Sequence, residues 1–336
     1  MKVISKKTGS SCRMLLLCLL SFVWCGSCAV VDAHAEGAEE ENPKQLRCIA
    51  FYSSVNGVSS TISRVTSGIQ EQLEEGGDVS LSVYCLQSDL YESMEYKVKT
   101  AAALDMDVMI VSNMSDGIGE EILKELQEHE IFVLTVDGQP SAYELRACIG
   151  ADNLSAGVQA AQLIAKMEGK HCAGILATSF RDGHISVSRQ ARQAGFEQEA
   201  QIRDNLETLP LCICISERLE AMQTIRTYLE EYPQMDVLYC LDSASGVLAS
   251  KILKEQNREE EVYVICFDQT DQVEREMQQG GINAVIEQEA EIIGQECAEF
   301  LRRMAQSTDV RELSHEETAV PCRIITSEDM GERVRE

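Results

Sequence analysis

Residues Val262–Leu301 read VYVICFDQTDQVEREMQQGGINAVIEQEAEIIGQECAEFL. The run VYVICF is continuously apolar and rich in β-formers, and it is short enough to be a strand buried on both faces of a parallel sheet. Asp268 follows it at once. The Gly280-Gly281 pair ends the helix that comes next, because glycine takes the left-handed cap conformation at little cost. INAVIEQ is a second strand. A last helix carries Ile293, Cys297, Phe300 or Leu301, and Met304 at the spacing of one helical face. In open parallel α/β sheets, ligands bind beyond the carboxyl ends of strands, and Asp268 and Gln288 both stand there.

The same alternation runs back through the chain. CIAFYS, VSLSVYCL, DVMIVS, IFVLTV, ACIGA, AGILATS, LCICI and DVLYCL are further candidate strands. Helical stripes fall between them. Val58, Ile62, Val65, Ile69 and Leu73 mark one, Ile118, Ile122 and Leu126 another, and Leu154, Val158, Ala161 and Ile164 a third. Strands alternating with helices imply parallel sheets with helices on both faces. About ten strands in 336 residues are too many for one lobe, so the chain divides into two. Polar residues cluster just past the strand ends: Asn56, Ser112, Asp137, Phe180 with its neighbours Ser179 and Arg181, Asp242 and Asp268. In a parallel sheet such positions share one edge, and two edges face to face make a polar cleft. Each serine or asparagine among them is equally at home as a helix cap.

The first 35 residues stand apart. Lys2, Lys6, Lys7 and Arg13 precede an uncharged, mostly apolar stretch from Met14 to Val31, and Ala33-His34-Ala35 offers a small-residue cleavage site. That is the three-part pattern of a signal peptide over 1–35. An uncleaved anchor is the alternative, since a stretch of that length just spans a bilayer. Cys28 after Gly26-Ser27 gives a lipid-modified third reading. Residues 36–45, EGAEEENPKQ, form an acidic linker. The whole chain carries a net charge of −27, and loss of the leader removes four basic residues and one acid. Such a surface repels nucleic acid and anionic lipid.

Of the 14 cysteines, four lie in the leader, and most of the others sit inside apolar strands or stripes, where they read as small buried hydrophobes. No cysteine pair has a histidine at zinc spacing, and no G-x-S-x-G, H-E-x-x-H, P-loop or G-x-G-x-x-G occurs. The chain is therefore expected to bind rather than catalyse, with no catalytic residue, metal or cofactor.

V-I-C-F-D, G-G-I-N-A-V-I-E-Q and I-I-G, in that order and spacing, resemble the C-terminal signature of type I periplasmic binding proteins, the ribose- and galactose-binding class. The lactose-repressor family shares that core, but no helix-turn-helix segment precedes it here. The resemblance covers about 47–326. It implies an α/β fold of two Rossmann-like lobes, parallel sheets flanked by helices, with the first lobe at 46–151 plus 289–317 and the second at 152–288 plus 318–336. TVDGQP resembles the first-lobe strand end and gives Asp137 to the ligand. IGADNLSAGVQAAQLIA is similar to the segment crossing between lobes, RQAGF supplies Arg192, F-D supplies Asp268, and I-E-Q places Gln288 at the hinge. CRIIT resembles the last strand of the second lobe. Carboxylates and a guanidinium suit a polyol, since the first accept and the second donates several hydrogen bonds. The chain departs from the family where aromatics commonly follow the first strand (Ser53-Ser54-Val55-Asn56-Gly57-Val58), at Gly138, where an arginine is usual, and at Leu241, where an asparagine is usual. A furanose, a smaller polyol or another polar solute fits these departures as well as a pyranose.

The implied protein is an extracytoplasmic receptor that closes over a small, sugar-like ligand and presents it to a membrane permease of an ABC importer. The alternative is a membrane-anchored sensory protein feeding a kinase or chemoreceptor. N-terminal sequencing of the exported protein should find Glu36 at or near its start; an intact Met1 in the membrane fraction would contradict cleavage.

Overall fold

The computed structural model describes residues 45–53, 61–73, 77–86, 93–112, 120–137, 143–179, 183–215 and 218–329. The leader, nearly all of the acidic linker, and residues 330–336 lie outside them, as do Asn56, Val58, Ile118 and Phe180. The apolar runs become strands of two separate sheets. The first holds β1 (Leu46–Ser53), β2 (Val79–Leu86), β3 (Val108–Ser112), β4 (Phe132–Asp137), β5 (Arg146–Ala151) and β11 (Glu317–Val320). Its order is β11-β5-β4-β3-β1-β2, and every pairing is parallel. The second holds β6 (His171–Ser179), β7 (Leu206–Ile215), β8 (Val237–Cys240), β9 (Tyr263–Phe267), β10 (Ala284–Glu287) and β12 (Arg323–Thr326). Its order is β12-β10-β9-β8-β6-β7, parallel except for β10 with β12. The two-lobe α/β architecture is thus present.

Strands β6, β8 and β10 are buried at every position, which is why their sequences run apolar without alternation. Each fully buried Val, Leu or Ile in them contributes about 1.5–3 kcal/mol relative to exposure. The sheets are covered by α1 (Thr61–Leu73), α2 (Met94–Ala103), α3 (Glu120–Glu128), α4 (Asn153–Ala165), α5 (Val187–Gln201), α6 (Arg218–Glu231), α7 (Ser243–Glu255), α8 (Asp271–Gln278) and α9 (Ala290–Gln306). Gly280 follows α8 at φ 74°, the left-handed conformation expected of it. In α9 the predicted face of Ile293, Cys297, Phe300, Leu301 and Met304 is buried. Among the described residues, no helix is long and apolar enough to cross a membrane.

Each lobe takes a helix from across the divide. Helix α4 follows β5 of the first sheet, yet Ala156, Ala160, Ala161 and Ile164 join the core of the second with Ala173, Ile175 and Phe196. Helix α9 follows β10 of the second sheet, yet packs with β1, β4 and α1 in the first. Both exchanges depend on glycine at the contact. A Cβ on Gly157 would lie 2.1 Å from the Arg192 carbonyl oxygen, and one on Gly195 would lie 2.0 Å from that of Leu154. Across α1 and α9, a Cβ on Gly294 would meet the Val65 carbonyl at 2.9 Å.

Three expectations change. The α4 face is made of small residues, Ala156, Gly157, Ala160 and Ala161, whereas Leu154 is exposed and Val158 only partly buried. The backbones of α4 and α5 come too close for a larger side chain there. Strand β7 starts at Leu206, five residues before LCICI, and passes through Pro210. It is an edge strand, and an edge tolerates a proline. Strand β11 was not foreseen. Residues 318–320 pair with Ile149, Gly150 and Ala151 in the first sheet, so the last passage between lobes falls at Pro321-Cys322 and not after 317. Of the ten described cysteines, seven, Cys48, Cys172, Cys214, Cys240, Cys266, Cys297 and Cys322, are buried as small hydrophobes.

Gly157→Ala should lower stability by about 1–3 kcal/mol, the usual cost of forcing atoms into a packed contact. Gly77→Ala should change it by less than about 0.5 kcal/mol, as expected of a surface site without special contacts, because nothing lies within 4 Å of a Cβ there. Urea denaturation midpoints of the two variants measure the difference.

Candidate functional site

Parallel strands carry their carboxyl ends to one edge, and the second lobe gathers its polar groups there. Arg192 reaches that edge from α5. Its Nε donates to Asn153 Oδ1 at 2.7 Å, and one terminal nitrogen donates to the Leu241 carbonyl at 2.8 Å. The guanidinium lies 3.8 Å from the centre of the Phe267 ring. Arg192 is only 3% exposed, and among the described residues no carboxylate pairs with it. Its other terminal nitrogen has no partner among them. A buried cation held by neutral acceptors and a ring face retains donor capacity for an incoming oxygen.

Asp268 follows β9 with φ 64°, a left-handed conformation that aspartate tolerates better than most residues. Its amide donates to the Ile286 carbonyl at 3.0 Å, fixing the turn. Oδ1 accepts from Gln288 Nε2 at 2.6 Å and from Thr61 Oγ1 at 3.1 Å. Oδ2 has no partner among the described residues. Gln288 thus binds Asp268 directly, and Arg192 reaches the same strand end through Phe267, the residue before Asp268.

Asp242 sits at the same edge but is committed to the fold. Oδ1 caps α7 by accepting from the Ser245 amide at 2.9 Å, and Oδ2 accepts from the Thr178 amide at 2.8 Å. Arg189 Nε adds an ion pair at 3.3 Å, and the residue is 5% exposed. Both of its oxygens are therefore engaged, whereas Asp268 has only one engaged among the described residues. In the first lobe, β4 ends on Asp137, which pairs with Ser112 at the end of β3 across a local register shift. Ser112 is partly buried; Asp137 is described by its backbone alone.

Three residues that the sequence did not single out complete the site. Thr61 and Arg64, on the first turn of α1, reach from the first lobe to the strand ends of the second. Arg64 binds Glu287, the last residue of β10, which is 2% exposed. Burial raises the Glu287 carboxyl above its ordinary pKa, against the opposing pull of the Gln269 amide and Arg64. The signal for Glu287 was an acid closing the apolar run AVI; none marked Arg64 or Thr61, whose partners lie over 200 residues away. At the crossings, the Asp152 amide donates to the Val320 carbonyl at 2.7 Å, and Arg323 pairs with Glu289 at 3.0 Å. Among the described residues, no cluster of His, Cys, Asp and Glu suits a metal ion.

Solved structures share this fold. GanP, a glucose-galactose binding protein from Geobacillus stearothermophilus, is 21% identical with a TM-score of 0.72, over 85% of this chain and 99% of that one. An ABC transporter solute binding protein from Bacillus halodurans C-125, with bound myo-inositol, is 16% identical with a TM-score of 0.69, over 88% and 98%. A XylFII–LytSN complex matches at 19% identity and a TM-score of 0.67, over 85% and 100%. No match was found among curated proteins. The family described as the periplasmic binding protein domain matches residues 49–309, well over half of the sequence. The chain belongs to that family, one of binding proteins rather than enzymes.

Proposed function

We propose that the protein is an exported solute-binding protein whose lobes close over a small sugar or polyol and present it to a membrane permease of an ABC importer. The observation that carries the reading is Arg192, a buried guanidinium with neutral partners and an uncommitted nitrogen, at the strand-end edge that also carries an Asp268 carboxylate with an uncommitted oxygen. Vicinal hydroxyls match that pair, since a hydroxyl can accept from one group and donate to the other. Asp137 from the first lobe would complete the enclosure, and Gln288 would steady Asp268 near the hinge. Ligand that touches both lobes only when they are closed shifts the population to the closed form. The glucose-galactose and myo-inositol binding of structural relatives supports the ligand class. A second reading, a sensory role, is favoured by one observation: the relative XylFII is found in complex with another protein, LytSN.

Calorimetry of the mature chain with D-glucose, D-galactose, D-arabinose and myo-inositol tests the ligand class, and small-angle scattering at saturation should show compaction. Failure of all four to bind would sink the sugar–polyol reading. Asp268→Asn should weaken binding on the order of 10- to 100-fold, the worth of a hydrogen bond to a charged group, and leave the ligand-free melting temperature nearly unchanged. Asp242→Asn should instead cost about 1–3 kcal/mol of stability, through a weakened helix cap and a poorly satisfied buried cluster. Equal melting temperatures for the two variants would contradict the separation of roles.

A further inference from the structure

Two side chains from the first turn of α1 cross between lobes, Thr61 to Asp268 and Arg64 to Glu287. Glu287 is 2% exposed and bridges two elements. One oxygen accepts from Arg64 of the first lobe, and the other accepts from the backbone amide of Gln269 in the second. That amide belongs to the residue after Asp268, in the turn where Asp268 holds φ 64°. Gln288, next along the chain, grips the Asp268 carboxylate itself. The end of β10 thus clamps the end of β9 at two adjacent points, and α1 clamps β10.

We propose that Glu287 and Arg64 are positioning residues for ligand binding: the Arg64–Glu287 bridge holds the Asp268–Gln269 turn in its left-handed form and ties that turn to the first lobe, so that closure and the aim of Asp268 are coupled. This rests on the reading of Asp268 as a ligand group. Fold stability does not account for the pair. The Glu287 carboxyl has a raised pKa, so its contribution to stability is greatest at low pH and is lost as pH rises through that raised value. The charged groups facing the bridge are few. Asp268 lies beside Glu287, and Glu291 and Asp268 lie near Arg64. Arg323, opposite Glu287 in the β10–β12 ladder, is paired with Glu289. Protonation of Glu287 removes the charge that Arg64 needs, and the bridge weakens.

The test uses whichever of D-glucose, D-galactose, D-arabinose and myo-inositol binds the wild-type protein most tightly. Arg64→Gln and Glu287→Gln should each raise its Kd about tenfold, an ordinary coupling between sites, while Arg64→Lys, which keeps the charge, should recover most of the loss. Wild-type affinity should also fall as the pH is lowered and Glu287, whose carboxyl burial holds above its ordinary range, takes up a proton, and both glutamine variants should lose that dependence. Arg64→Gln removes a partly exposed side chain, so the variant folds and remains informative where Glu287→Gln does not. Unchanged affinity in Arg64→Gln, or a pH profile that survives it, overturns the proposal. If no probe binds the wild-type protein, the sugar–polyol reading has failed separately. The bridge is then judged on ligand-free protein by small-angle scattering. A larger radius of gyration for Arg64→Gln than for wild type supports it, and equal radii overturn it.

Discussion

A buried guanidinium governs the second lobe. Arg192 ties the start of α4 through Asn153, the end of β8 through the Leu241 carbonyl, and the end of β9 through the Phe267 ring. Taking a charge out of water costs several kcal/mol even after relaxation. Two charge-assisted hydrogen bonds at about 1.5–3 kcal/mol each are comparable with that cost and leave no large surplus. A ligand oxygen on the remaining nitrogen, as proposed above, would therefore act on a group already desolvated and already oriented. The glycine contact between α4 and α5 makes this possible: the Arg192 backbone lies against Gly157, so the side chain enters the site from a fixed base.

The exchange of helices explains how two sheets with separate cores can answer one ligand. Each crossing strand delivers its helix to the other lobe, so the strand ends and the crossings occupy the same neighbourhood. The Asp152–Val320 hydrogen bond, the Glu289–Arg323 ion pair and Gln288 lie within a few residues of a passage between lobes. Rotation about these passages would alter the distance from α1 to the ends of β9 and β10 more directly than any contact within a core. Thr61 and Arg64 stand across that gap. The acidic surface, net −27 for the whole sequence, is consistent with a neutral or cationic solute and with rejection of nucleic acid.

What was legible in the sequence follows from burial. Strands enclosed on both faces, such as AGILATS and VYVICF, cannot alternate, so their apolar runs mark them out. Strand β11 is an edge strand of four residues, ETAV, with only Val320 buried, and leaves no such run. Leu206–Pro210 joined β7 invisibly because LETLP reads as a polar approach to a turn. Asp268 stood out as an acid directly after a buried strand, a position that also suits a helix cap. Asp242 occupied an equivalent position with a different task, and only its bonds to Ser245, Thr178 and Arg189 distinguish the two. Thr61 and Arg64 were not readable at all. They lie on the first turn of an ordinary amphipathic helix, and their importance comes from partners brought near by the meeting of two lobes.

The most direct measurement is a crystal structure of the mature chain with a bound sugar or polyol. The account predicts a ligand oxygen within hydrogen-bond distance of the free terminal nitrogen of Arg192, another on Asp268 Oδ2, and contact with Asp137 from the first lobe. A ligand seated elsewhere on the molecule, with the Arg192 nitrogen and Asp268 Oδ2 both untouched, would contradict it.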